Sequence, residues 1–274
     1  MTKQVKIIII DANNMYALLY YSPSLKGNVS ELPESFIGML QGICEREQDA
    51  THLFVCWDSE ESRKKKEDES YKAGRTPKPA NYHDAVLPLK QKLEELRVQQ
   101  YSVPDIEADD IIAKLVSAAK IKGFKCVVVS NDHDFYQFIE KDDSVYLFNT
   151  LKQNWFDYAK FQEEYPGIEP SQFKYVLSIM GKGSNNIKGV PGVGEKGAIQ
   201  AIQAYGSLDA LYASDMSKLK GAVVKKLQAG KEEAYASLKK VEFLTDFPLS
   251  KPTMAEMPEA FRLPKDDLPE VFGF

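Results

Sequence analysis

The run 178-SIMGKGSNNIKGVPGVGEKGAIQAI-202 decides how this chain reads. It holds six glycines and one proline between two apolar segments, with lysines scattered through it and no acid before Glu195. A nucleotide-binding P-loop needs Lys directly after its second Gly, followed by Ser or Thr. Here Gly194 is followed by Glu195, Lys196 and Gly197, so that pattern fails. The preceding "QFKYVLSIM" sets Phe173, Val176, Leu177 and Met180 at helical rather than strand spacing. The loop therefore joins two helices, and a mononucleotide cradle is not expected.

Working outward toward the N-terminus, "VKIIIID", "HLFVCWD" and "FKCVVVSNDHD" read as short buried strands, each with acids at or just past its end. Helical spacing over 34–45, 82–97 and 107–122 alternates with them. Alternating strands and helices predict an α/β fold with a mainly parallel sheet covered on both faces. Toward the C-terminus the strand signal stops near Pro170. Helices are expected over 171–180, 195–205, 207–212, 216–228 and 232–244. The predicted organisation is an α/β half over 1–168 and an all-helical half over 169–274. Pro248 to Phe274 carries five of the 14 prolines and reads as an extended tail packing back on the body. It is expected to end in a short amphipathic turn at "DDLPEVFGF".

The chain of 274 residues is 43% hydrophobic and 27% charged, which suits a folded protein of one large or two small domains. No apolar run approaches the ~18–20 residues of a membrane span. "MTKQVKIIIID" enters a strand pattern at once, so a signal peptide and a membrane partner are not expected, and a cytoplasmic location is. Cys44, Cys56 and Cys126 lie in apolar runs without metal spacing and read as buried thiols. The net charge of −5 does not advertise a nucleic-acid binder, but it hides an uneven distribution. Bases gather in "SRKKKEDESYKAGRTPKP" and between Lys182 and Lys240, acids in "IEADD" and "NDHD".

Those acids make the second signal. Asp11 and Asp58 each end a strand, Asp132 and Asp134 follow a third, and Glu107, Asp109 and Asp110 open a helix. Ligands of parallel α/β sheets bind beyond the carboxyl ends of the strands, where these acids lie. One or two of the three at 107–110 are explained by the positive end of a helix, all three less well. Seven carboxylates in one crevice raise one another's pKa unless cations neutralise them. Oxygen donors without a Cys or His cluster select Mg²⁺ or Mn²⁺, and Mg²⁺ on carboxylates commonly serves phosphate substrates. His133 reads as a hydrogen-bonding residue rather than a ligand.

"IIIIDANN", "FVCWD…SYKAGR", "IEADDIIA", "VVVSNDHDFYQ" and "MGKGSNNIKGVPGVGEKGA" occur in the order and spacing of the five-prime nucleases. Over about 5–245 the chain resembles bacterial and bacteriophage flap endonucleases, or 5′-3′ exonucleases. The resemblance implies a PIN-like α/β core, a helical arch at about 60–80 and a helix–three-turn–helix clamp for duplex DNA. It implies that Lys72 and Arg75 contact the scissile phosphate and that Tyr71 stacks on an unpaired base. Gly189, Gly192 and Gly194 would bring backbone near a DNA phosphate beside Lys188 and Lys196, with K⁺ held by loop carbonyls. It assigns Asp58, Glu107, Asp109, Asp110 and Asp132 to a first Mg²⁺ or Mn²⁺, and Asp134 with Asp132 to a second. Asp11 would orient water at the metal. A monomer in a bacterial cell or phage-infected host, acting beside a DNA polymerase, is the implied setting.

Three positions depart from the family pattern. Where it has two aspartates for the second metal, this chain has Lys182 and Asn185, and an Arg usual after the first Asp is replaced by Leu18. The expected function is a structure-specific 5′ nuclease of DNA replication or repair, weakened at its second metal. The alternative is a junction-binding protein of the same fold with little cleavage. A PIN-like ribonuclease is disfavoured by the glycine-rich loop.

Overall fold

The computed structural model describes residues 4–249 and 256–261. Six strands form one sheet: β1 (Lys6–Asp11), β2 (His52–Cys56), β3 (Gln99–Tyr101), β4 (Lys125–Val129), β5 (Val145–Asn149) and β6 (Asn154–Phe156). Their order is β3-β2-β1-β4-β5-β6, parallel throughout except for the antiparallel β5–β6 pair. Ile9 stands opposite Phe54 on one side and Val128 on the other. Successive strand side chains point to opposite faces. Ile7, Ile9, Phe54, Cys126 and Val128 therefore enter one core, and Ile8, Ile10, Leu53, Val55, Val127 and Val129 the other. A sheet buried on both faces needs apolar residues at every position, hence the unbroken "IIII" and "VVV" runs.

On the second face lie α1 (Ala12–Tyr20), α2 (Leu32–Arg46) and α4 (Val86–Glu95). On the first lies α5 (Ala108–Ile121), whose Ile111, Ile112, Leu115 and Val116 are buried. Each fully buried aliphatic side chain contributes about 1.5–3 kcal/mol, against about 0.3–1 kcal/mol for an acid near a helix N-terminus. The apolar face thus fixes α5, and its leading carboxylates are not needed to hold it.

The first core continues without a break into α6 (Tyr158–Glu164), α7 (Phe173–Met180), α8 (Glu195–Tyr205), α9 (Leu208–Ala213), α10 (Ala222–Ala229) and α11 (Lys231–Val241). Helix α10 starts six residues after the expected Met216. Met216 (φ 57°) and Gly221 (φ 78°) sit in the left-handed region, which a helix cannot include. The stretch expected to form an arch holds one five-residue helix, α3 (Arg63–Glu67), and then turns. In the tail Met257 and Phe261 are buried in the second core, and the Met257 amide donates to the Thr51 carbonyl at 2.7 Å. The turn expected at "DDLPEVFGF" lies outside the described residues. Among those described, no helix is long and apolar enough to cross a membrane. All three cysteines are buried and free.

Candidate active site

From β1 the chain runs through α1 and α2 to β2 on one side, whereas β4 lies on the other side of β1. The order reverses between β1 and β4, and such switch points open a crevice at the strand carboxyl ends. Asp11 ends β1 there, and its side chain caps α1 by accepting from the Asn14 amide at 3.0 Å. Its other oxygen accepts from Ser130 Oγ at 2.7 Å, just past β4. Asp58, beyond β2, takes the Ala108 amide at 2.8 Å and so ties the start of α5 to the sheet. The Asp58 amide in turn donates to Asn13 Oδ1 at 2.8 Å.

Asp11, Asp58, Asp109 and Asp132 line one groove of about 840 Å³ together with Lys72 and Arg75. Burial pushes the Asp11 carboxyl up to about 7, with repulsion from Asp58 and Asp132 adding to it and the Ser130 and Asn14 bonds opposing. Asp58 is raised by burial, against the pull of Lys72. Asp109 is raised well above the usual range by burial and then by Asp11 and Asp132.

The other expected acids are engaged with lysines. Burial works against Glu107, but Lys72 Nζ at 2.8 Å holds it below its ordinary value. Asp110 is fully buried and does not line the groove; Lys64 Nζ and the Leu244 amide both reach its Oδ1 at 2.8 Å. Through that oxygen Asp110, which the resemblance assigns to the first ion, ties α3, α5 and the segment after α11 together. Its Oδ2 and the Oδ1 of Asp134 are buried without a hydrogen-bond partner.

Lys182 Nζ lies 2.6 Å from Asp132 and 2.7 Å from Asp134. Burial disfavours the Lys182 ammonium, yet these two carboxylates raise its pKa overall. Asp132 is lowered, Lys182 outweighing burial, while burial and Asp132 push Asp134 up to about 6. An ammonium therefore sits between the two carboxylates to which the resemblance assigns a second ion.

Among the described residues, no three acid, His or Cys groups enclose a metal position as they lie. The donor set still suits a hard cation. It is all oxygen, it carries three carboxyls raised by crowding and burial, and it opens to a groove. His133 stacks on Tyr136 with ring centroids 4.8 Å apart.

Tyr71 is corrected from base stacking: it is 2% exposed, and its hydroxyl donates to Glu107 Oε2 at 3.1 Å. Gly189 is corrected likewise. It is buried at φ 64°, its amide donates to Ser237 Oγ at 3.1 Å, and a Cβ there would stand 2.4 Å from the Gly181 nitrogen. Close backbone packing, not a phosphate, requires that glycine. Gly194 is exposed at the start of α8 with open space above it, and Lys188 and Lys196 are exposed on either side. Gly192 (φ 73°) is exposed too, but its carbonyl accepts from Lys226 Nζ at 2.8 Å. Sequence reading missed Ser130, Lys64 and Lys226, which act through partners distant in sequence. Asn13 was within reach, since "DANN" follows Asp11 directly.

Carboxylates at the open ends of a parallel sheet, bordered by Lys72 and Arg75 and followed by a glycine- and lysine-bearing helical region, define a 5′ nuclease. Residues 6–166 match the family described as "5'-3' exonuclease, N-terminal resolvase-like domain", and residues 168–261 match "5'-3' exonuclease, C-terminal SAM fold". The chain belongs to the 5′-3′ exonuclease family. It is 34% identical to flap endonuclease Xni of Shewanella sediminis, over 89% of this chain and 93% of that one. It is 28% identical to DNA polymerase I of Caldicellulosiruptor bescii, over 90% of this chain but 30% of that one. A bacteriophage T5 D15 flap endonuclease, a pseudo-enzyme variant in a product complex with DNA and metal ions, shares the fold. Its TM-score is 0.71 at 21% identity, covering 86% of this chain and 88% of that one.

Proposed function

We propose that this protein hydrolyses a phosphodiester near the junction of branched or gapped DNA bearing a 5′ strand, during replication or repair. The observation that carries the reading is the shared groove of Asp11, Asp58, Asp109 and Asp132 with Lys72 and Arg75. Acids able to hold a cation and bases able to meet phosphate line the same cleft.

Asp58, Glu107, Asp109 and Asp132 would hold one Mg²⁺ or Mn²⁺. When bound, such an ion lowers the pKa of water and offsets charge on the departing oxygen. Asp11, fixed by Ser130, orients water beside it and takes part in holding its proton. Lys72 and Arg75 offset charge on the phosphate. Lys188 and Lys196 hold duplex phosphates without reading sequence. For K⁺, the Gly192 carbonyl is already met by Lys226, so an ion at this loop would need other carbonyls while that contact lasts. A DNA polymerase is the proposed associate. The similarity to part of a polymerase I supports it.

Lys182 between Asp132 and Asp134 favours a second reading, junction binding with slow cleavage. A 5′-flap cleavage assay in Mg²⁺, beside flap binding in Ca²⁺ or EDTA, separates the two. The nuclease reading expects both cleavage and binding; binding without cleavage leaves the second reading standing.

A further inference from the structure

The basic segment and the glycine-rich loop are joined by four hydrogen bonds, and Asn185 makes two of them. Its carbonyl accepts from the Lys72 amide at 3.1 Å. Its side-chain Oδ1 accepts from Arg75 Nη2 at 2.7 Å. Beside it, the Ser184 carbonyl accepts from Arg75 Nε at 3.1 Å, and Asn186 Nδ2 donates to the Ser70 carbonyl at 2.8 Å. Asn185 is 4% exposed, so its amide is fixed in place, whereas Arg75 is exposed.

The Arg75 guanidinium has five N–H groups, and the two bonds to the loop use one face of the fork. The remaining donors stay available beside the groove that Arg75 and Lys72 line. Lys72 has φ 58°, a left-handed backbone that a lysine adopts only where its surroundings hold it. The Asn185 carbonyl supplies part of that hold. Residue type matters here. A carboxylate at this position would pair with the guanidinium as a full ion pair and draw its charge away from a phosphate. The neutral amide orients the guanidinium and leaves its charge in place.

We infer that Asn185 is a positioning residue, holding Arg75 by its side chain and Lys72 by its backbone at the edge of the groove. The position that the resemblance assigns to a metal ligand instead supports the groups that meet the phosphate. This rests on the nuclease reading for its consequence, but not for its geometry.

The test is a double-mutant cycle of Asn185→Ala and Arg75→Ala on the full chain, with two readouts. One is single-turnover cleavage of a 5′ flap in Mg²⁺; the other is the ratio of flap to plain-duplex affinity in EDTA. Asn185→Ala is expected to slow cleavage roughly 10–100-fold, as for displacement of a catalytic group by about an ångström. Plain-duplex affinity should stay within about threefold, and the variant should add little once Arg75 is Ala. Asn185→Ser, a smaller change, replaces it should the alanine variant lose its cooperative melting. Fully multiplicative losses, or parental cleavage in Asn185→Ala, overturn the assignment. Should the parent not cleave at all, the nuclease reading fails, and the affinity ratio decides alone. A non-additive fall in flap preference upholds the positioning role; an unchanged preference in Asn185→Ala beside a reduced one in Arg75→Ala overturns it.

Discussion

On one side of the groove Asp11, Asp58 and Asp109 face one another, and among the described residues no ammonium is bonded to any of them. All three are raised by burial, and repulsion from neighbouring acids adds to it: Asp58 and Asp132 on Asp11, Glu107 on Asp58, Asp11 and Asp132 on Asp109. On the other side Asp132 and Asp134 share Lys182. The same difficulty, carboxylates crowded away from water, is met on one side by a residue of the chain; on the other, the proposed function gives that role to a cation from solution. The difference supports the proposal that the groove takes one ion rather than two, with Lys182 standing in the place of the second. It also explains why Lys182 does not disturb the fold: it completes a charge balance that the strand ends create.

The largest expected effect breaks the open side. Asp109→Asn should reduce flap cleavage about 10³-fold or more, because a ligand of the one ion is lost. The same substitution should raise the melting temperature in EDTA, since it removes a buried charge that its neighbours repel. Flap affinity in EDTA should hold or improve. Cleavage at parental rate would remove Asp109 from the site.

Lys182→Met should act with the opposite sign on the closed side. Removing one partner of a buried ion pair leaves uncompensated charge and costs about 3 kcal/mol. Chemical denaturation in EDTA should show that loss, and Mg²⁺ should restore part of it. An unchanged midpoint would mean that Lys182 does not balance these acids.

The smallest effects fall at the loop, away from both sides. Lys188→Ala or Lys196→Ala should weaken binding to all duplex sequences alike and flatten the salt dependence by about one unit each. Binding titrations across salt concentrations check this, and sequence-dependent losses would count against a phosphate clamp.

Much of this was legible from local pattern. The three central strands, α8 and the acids at the strand ends follow from runs and spacings within a few residues. What was not legible depends on partners far along the chain. The three-residue β3 and β6 are edge strands with too few residues to show a period. Helix α1 begins on Asp11, whose role as a strand-ending acid hid its role as a cap. Asp110 looked identical to Asp109 in sequence. One rotation step along α5 sends it instead to Lys64 and the Leu244 amide. Gly189 and Gly194 share a motif, yet one is packed against backbone and the other faces open space. Tyr71 sits beside Lys72 in a basic run that reads as exposed, but its ring is buried and its hydroxyl serves Glu107.

The claim that one ion belongs to the open side while Lys182 stands for the other is tested most directly by counting ions. Calorimetric titration of Mn²⁺ into the parent and into Lys182→Asp, beside single-turnover flap cleavage, reads both consequences at once. The account predicts one tightly held ion in the parent, two in the variant, and a rate at least about tenfold higher in the variant. Two ions already bound by the parent, with cleavage no slower than in Lys182→Asp, would contradict it.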